Sequence, residues 1–285
     1  MSSSIEGRRG TAIDIDPTSL ASERPIFVLA SGHRTGSTLL QRLLNSCEQV
    51  MIWGEQLGYL NTFVQGYGLL RRWESQFAAH RRRFVSEGFD DFLPNMMPTD
   101  VEIQNAARLH LYGLFALPAA RLERPMWGFK EVRYGVDVAV FLQSCFAGAR
   151  FIHLTRDIVE CFLSLKRWED SSDDWTRSWT DRSLRHWEEI NAGFLERGGE
   201  LEDLLTVRYE DMVARPEAFV EDLSRFLGVS PGTFDTTVFD RVRTYNPADA
   251  GPRPDRGELA PEERDLLRSQ RIAEVAAAYG YDSTF

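Results

Sequence analysis

The stretch that most constrains this chain is the apolar run 26–30 followed by Ser31-Gly32-His33-Arg34-Thr35-Gly36-Ser37-Thr38. An unbroken apolar run of this length reads as a strand covered on both faces, as in a parallel sheet. Beyond the small-residue turn, Leu39, Leu40, Leu43 and Leu44 recur at the spacing of an apolar helical stripe. A helix beginning near Thr35 is therefore expected. Strand, tight turn and helix together open a β-α unit.

Later segments keep that rhythm. Residues 50–53, 126–130, 151–155 and 204–209 read as strands, and 136–145 as a helix. Another helix, carrying Val159, Phe162, Leu163 and Leu165, follows Arg156-Asp157. Pro216 stands near a helix start and Gly228 just past its end. One last helix is expected over 261–279, capped by Gly280. Residues 58–125 and 168–197 read as mainly helical, with Trp175, Trp179, Trp187, Ile190 and Phe194 forming a stripe in the second. Strands alternating with helices predict an α/β fold, with a central parallel sheet flanked by helices on both faces and a helical insertion. Ligands on such sheets bind at the carboxyl ends of the strands. Arg34, Glu55, Lys130 and Arg156 all fall at such ends.

The formal net charge of −10 argues against a nucleic-acid surface or an anionic lipid as partner. Any anionic ligand must be held by a local basic pocket. No apolar run is long enough to span a membrane. Residues 1–22 are polar, lack the apolar stretch of a signal peptide, and read as a flexible segment ahead of a single domain over 23–285. Cys47, Cys145 and Cys161 are too widely spaced for a disulfide framework or a zinc motif, so buried, inert thiols and a cytoplasmic location are expected.

The loop after the first strand carries the most chemistry. A helix N-terminus presents unpaired N–H groups and the positive end of the helix dipole. Gly32 and Gly36 let the backbone curl close to an anion, Ser37 and Thr38 add hydroxyls, and Arg34 adds a planar fork of donors. The loop is P-loop-like but departs from G-x-x-x-x-G-K-[ST]. Ser31 stands where the first glycine belongs, and Ser37 where the lysine belongs.

Arg34-Thr35-Gly36-Ser37-Thr38-Leu39-Leu40 resembles the R-[ST]-G-[ST]-T-L loop of sulfotransferases. The resemblance implies that Arg34, Thr35, Gly36, Ser37 and Thr38 hold the 5′-phosphosulfate of 3′-phosphoadenosine 5′-phosphosulfate, with adenosine 3′,5′-bisphosphate as product. A Gly/Ser turn with a surface arginine is the plainer alternative. In that family an arginine after a later strand and a serine eight residues on hold the 3′-phosphate. Arg156 and Ser164 stand at that spacing. Their alternative is an arginine paired with Asp157 and a helix serine of no consequence. Arg208-Tyr209-Glu210-Asp211 resembles the family segment that places a tyrosine near the adenine, and a core aromatic at a strand end fits Tyr209 equally well. Residues 251–259 resemble a closing loop that brings Arg253 or Arg256 to the donor. The resemblance spans about residues 25–281, close at 34–55 and 130–164 and weak at 58–125.

Sulfuryl transfer needs a base for the acceptor proton, positive charge at the sulfuryl oxygens and a counter-charge for the leaving phosphate. Glu55, in Trp53-Gly54-Glu55, resembles the base of the tyrosylprotein and bacterial carbohydrate sulfotransferases. Other members use a histidine after the third strand, and none of His33, His80, His110, His153 and His186 falls there. His33 is read as part of the loop's geometry and His153 as a buried mid-strand residue. Lys130 resembles a lysine near the bridging oxygen and, with Arg34, would stabilise the transition state. Its alternative is a pair with Glu131. The resemblance requires no metal.

Arg71-Arg72 and Arg81-Arg82-Arg83 read as a solvated helix face, with attraction of an anionic acceptor as the alternative. The acceptor hydroxyl stays open among glycan, phenol, polyketide and peptide tyrosine, with 58–125 and 168–197 on the acceptor side. Oligomeric state also stays open, a homodimer included. Two rival readings are a non-catalytic nucleotide-binding regulatory protein and a metal-dependent small-molecule kinase. The missing loop lysine argues against the kinase, and Glu55 with Lys130 argues against the binding module.

Overall fold

The computed structural model describes residues 23–90, 92–171, 177–241, 259–267 and 269–282. The 1–22 segment, Trp175, Arg253 and Arg256 lie outside these residues.

Strand β1 (Ile26–Ala30) is buried along its whole length. Ile26, Val28 and Ala30 face one layer of the core, and Phe27 and Leu29 the other. It leads into α1 (Ser37–Ser46), two residues later than the expected start, because Thr35 and Gly36 belong to the turn. Strand β2 (Val50–Trp53) and the long α2 (Tyr59–Glu87) follow. Helix α3 (Asp100–Leu111) opens on a Thr99–Glu102 capping box and runs through a π-helical turn into α4 (Leu117–Arg121). Then come β3 (Met126–Glu131), α5 (Val136–Cys145) and β4 (Arg150–Thr155). Helices α6 (Ile158–Ser171) and α7 (Arg177–Arg197) precede β5 (Leu204–Arg208). The short α8 (Tyr209–Ala214) and then α9 (Pro216–Leu227) come next, α9 ending on left-handed Gly228.

All strand pairs are parallel, in the order β2-β3-β1-β4-β5. The connection from β1 turns toward β2, whereas β4 continues to β5 on the other side. That reversal opens a crevice at the carboxyl ends of β1 and β4. Helices α1, α8 and α9 cover one face of the sheet, and α2, α3, α5 and α7 cover the other. Fully burying a Phe or Leu is worth roughly 1.5–3 kcal/mol. The layers around Phe27, Phe129 and Phe151 can therefore carry the buried charges of Lys130, Glu131 and Asp157 at the strand ends. A third cluster joins α6 and α7 to the C-terminal helices through Phe162, Trp187, Leu267 and Ala276.

Three expectations are corrected here. The last helix is two, α10 (Pro261–Leu267) and α11 (Gln270–Ala278), because the Ser269 hydroxyl accepts the Ile272 N–H and starts a new helix. Tyr209 opens α8 instead of ending a strand. Of the tryptophan stripe, Trp187, Ile190 and Phe194 are buried, but Trp179 is 36% exposed. On α2, Arg71 pairs with Asp100 and Arg83 with Glu87 at the surface, while Arg81 pairs with the buried Glu74. All three cysteines are buried and free, and burial pushes the thiols of Cys145 and Cys161 up to about 11 and about 12. Among the described residues, no helix is long and apolar enough to cross a membrane.

Candidate active site

The loop after β1 is shaped by backbone as much as by side chains. Arg34 sits at φ 64 and Gly36 at φ 87, both left-handed. A Cβ on Gly36 would lie 2.2 Å from the Tyr209 ring, so glycine meets both the conformation and the contact. Thr35 is fully buried and its hydroxyl donates to the Gly32 carbonyl (3.0 Å), which braces the turn from inside. Helix α1 starts without a side-chain cap and without an acidic residue in its first turn. Its dipole is therefore left for an external anion. Ser37 is buried at that helix start and Thr38 is exposed.

Arg34 joins the two signature segments. Its Nε donates to Ser164 Oγ (2.8 Å), and its guanidinium lies over the Trp168 ring, 5.1 Å from the centroid. Arg156 Nη1 donates to the Arg34 carbonyl (2.8 Å), and its Nη2 lies 3.3 Å from Glu160. The Arg156 guanidinium covers the Tyr209 ring at 4.5 Å. Ser164 thus meets Arg34 here, where the spacing suggested a shared aim with Arg156. The turn after β4 is held on several sides. Trp187 Nε1 donates to the Arg156 carbonyl (2.8 Å), Asp157 caps α6 through the Glu160 N–H (3.0 Å), and Glu210 accepts the Asp157 N–H (3.0 Å).

Across the crevice lies Glu55. It stands in the turn between β2 and α2, where Leu57 (φ 56) and Gly58 (φ 75) are both left-handed. A leucine in that region stores strain, and the surroundings must hold it. Glu131 does so. It is fully buried, and its carboxylate accepts the N–H groups of Gln56 (2.8 Å), Gly58 (3.2 Å) and Val132 (2.8 Å). Lys130 therefore turns to Glu55, not to Glu131, with Nζ 2.6 Å from Oε1. Its side chain is only 5% exposed while that of Glu55 is 30% exposed, so the pair is desolvated on the lysine side. Burial alone would raise the Glu55 carboxyl, but Lys130 and Arg133 outweigh it and hold it below its ordinary value.

Arg133 completes the group. Its Nη1 donates to Glu55 Oε2 (2.9 Å) and Glu131 Oε1 (2.6 Å), and its Nη2 donates to His33 Nε2 (3.0 Å). A guanidinium only donates, so His33 must offer a lone pair at Nε2 and carry its proton on Nδ1. That proton faces Ser183 Oγ on α7, 2.9 Å away. Burial first, and Arg133 second, hold the His33 imidazole down to about 4. His33 is thus committed to the loop's architecture. His153 is buried in β4, donates from Nδ1 to the Leu29 carbonyl (3.1 Å) and stacks on Phe194.

The structure gathers Arg34, Thr35, Gly36, Ser37, Arg156, Ser164 and Tyr209 around one loop. The contacts of His33 and Arg133 link that loop to Glu55 and Lys130. Sequence reasoning missed Arg133 and the work of Glu131. Their signal was the charged cluster Lys130-Glu131-Val132-Arg133 at a strand's carboxyl end.

A model of the sulfotransferase family matches residues 25–233. Among solved structures, the chain is similar to the sulfotransferase domain of the Synechococcus PCC 7002 olefin synthase. The TM-score is 0.53 at 17% identity, covering 93% of this chain and 97% of that one. It is also similar to mouse sulfotransferase SULT7A1 complexed with PAP, with a TM-score of 0.50 at 10% identity, covering 90% of this chain and 86% of that one. A search of the curated proteins finds no match. These identities speak to the fold, while the family match spans most of the chain; the chain belongs to the sulfotransferase family and is a sulfotransferase enzyme.

Proposed function

We propose that the chain moves a sulfuryl group from 3′-phosphoadenosine 5′-phosphosulfate to an acceptor hydroxyl, with Glu55 as general base. The observation that carries this reading is the ion pair of Glu55 with the buried Lys130, linked through Arg133 and His33 to the anion-ready loop before α1. The donor supplies an activated sulfuryl group on a phosphate that can leave. Among the described residues, the buried Nε of Arg156 has no hydrogen-bond partner, which suits an anionic group beside the loop.

Arg34 and the start of α1 bind the 5′ end of the donor, and Arg156 and Ser164 its 3′-phosphate. Tyr209 lies beside the nucleotide. Glu55 takes the hydroxyl proton as the acceptor oxygen bonds to sulfur. The sulfur–oxygen bond to the phosphate breaks, and Lys130 meets the charge left on that phosphate. The helical segments 58–125 and 168–197 flank the acceptor.

Calorimetric titration tests the reading. Adenosine 3′,5′-bisphosphate should bind without magnesium, and Glu55→Gln should keep that affinity. The same variant should lose about 10²- to 10⁴-fold in turnover of labelled donor, the range of a general base. Full turnover in Glu55→Gln would remove Glu55 from the chemistry.

A further inference from the structure

The resting site leaves neither Glu55 oxygen idle. Oε1 faces Lys130 Nζ and Oε2 faces Arg133. A carboxylate held by two cations is a weak base, and its proton affinity rises when one of them turns away. The two partners are held very differently. Arg133 is gripped by the buried Glu131 carboxylate and by the His33 lone pair. Its backbone is fixed too, since Asn61 Nδ2 donates to the Arg133 carbonyl (3.1 Å). Among the described residues, Lys130 Nζ hydrogen-bonds to Glu55 alone. An ammonium on a flexible stem can re-aim, whereas a planar fork with fixed acceptors cannot.

We propose that Arg133 is a positioning residue that anchors Glu55 through Oε2, which makes Oε1 the proton-accepting atom and Lys130 the releasable partner. This rests on Glu55 being the base. Arg133 holds the carboxylate in place while Lys130 turns to the leaving phosphate. His33 serves as a fixed acceptor that keeps Arg133 aligned, and only a neutral ring with a free Nε2 lone pair can do so. The titratable and charged groups facing Glu55 are Lys130 on β3, Arg133 just past it and the neutral His33 from the loop, with Glu131 behind Arg133 and His186 of α7 behind His33.

The test reads the Glu55 carboxyl directly, by carbon NMR titration of glutamate-labelled full-length protein, with the signal assigned from Glu55→Gln. Arg133→Gln should move the Glu55 midpoint up by about one pH unit, the loss of one charge-assisted hydrogen bond. His33→Leu should move it part of the way, and His33→Gln, which restores an acceptor, should bring it back. In the wild type, saturating adenosine 3′,5′-bisphosphate should raise the midpoint as Lys130 is drawn away. A merely structural Arg133 would lower Tm and leave the midpoint in place, which would overturn the proposal. Should Arg133→Gln not fold, the His33→Leu and His33→Gln pair makes the same comparison. The titration does not depend on turnover, so a fully active Glu55→Gln would end the catalytic reading while the anchoring result stood on its own.

Discussion

Gly36 stands where a side chain has no room. Its φ of 87 disfavours any L-residue, and the Tyr209 ring fills the space a Cβ would need. Gly36→Ala should cost about 1–2 kcal/mol from the backbone alone, lower Tm by several degrees and weaken adenosine 3′,5′-bisphosphate binding. Part of that loss is a clash, so it should shrink in a Tyr209→Ala background. A double-mutant cycle by thermal denaturation with no coupling between the two positions would show that Tyr209 does not crowd the loop. That Gly36 lets the backbone curl around an anion was legible from R-T-G-S-T, but its left-handed φ and the identity of its neighbour were not. Tyr209 lies far away in sequence and reaches Gly36 only through the β4–β5 pairing and the start of α8.

At the scale of elements, the β4–α6 turn is held by two helices. Trp187 of α7 fixes the Arg156 carbonyl, and Glu210 of α8 fixes the Asp157 N–H. The Glu210 carboxylate also accepts the Tyr281 hydroxyl from beyond α11 (3.1 Å). Arg156 therefore presents its guanidinium from a rigid mount. Arg156→Ala should weaken adenosine 3′,5′-bisphosphate binding about 10- to 100-fold, the loss of one or two charge-assisted hydrogen bonds. Adenosine 5′-phosphate, which lacks the 3′ group, should lose much less. Equal losses for both nucleotides in calorimetry would place Arg156 away from the 3′-phosphate.

For the molecule as a whole, the buried imidazole of His153 links folding to pH. Burial holds it down to about 4 in the folded protein, against about 6.5 in the unfolded chain. Between those values the unfolded state binds more protons, so stability rises with pH across that window and is lost as pH falls through it. The loss amounts to about 3 kcal/mol at the acid end. His33, also depressed by burial, acts in the same direction. Urea midpoints measured from pH 6.5 to 4 at constant ionic strength should fall steadily, and His153→Gln should flatten the slope. An unchanged slope in that variant would assign the acid sensitivity to other groups.

Local spacing was enough to determine the alternation of strands and helices and the loop before α1. The apolar period of 26–30 and the leucine stripe after it act over a few residues, and the backbone can satisfy them without knowing the rest of the chain. The same holds for the places of Arg156 and Glu55 at strand ends, whereas the roles proposed for them rest on the family resemblance. Which charges meet was decided only in three dimensions. Lys130 and Glu131 are neighbours in sequence, yet one turns to Glu55 and the other to the backbone of the turn at 56–58. Arg133 draws on Glu131 two residues away and on Glu55 and His33, which the parallel pairing of β1, β2 and β3 brings to the same carboxyl end of the sheet. Strand register is set by the whole core, and it fixes which side chains share a low-dielectric space.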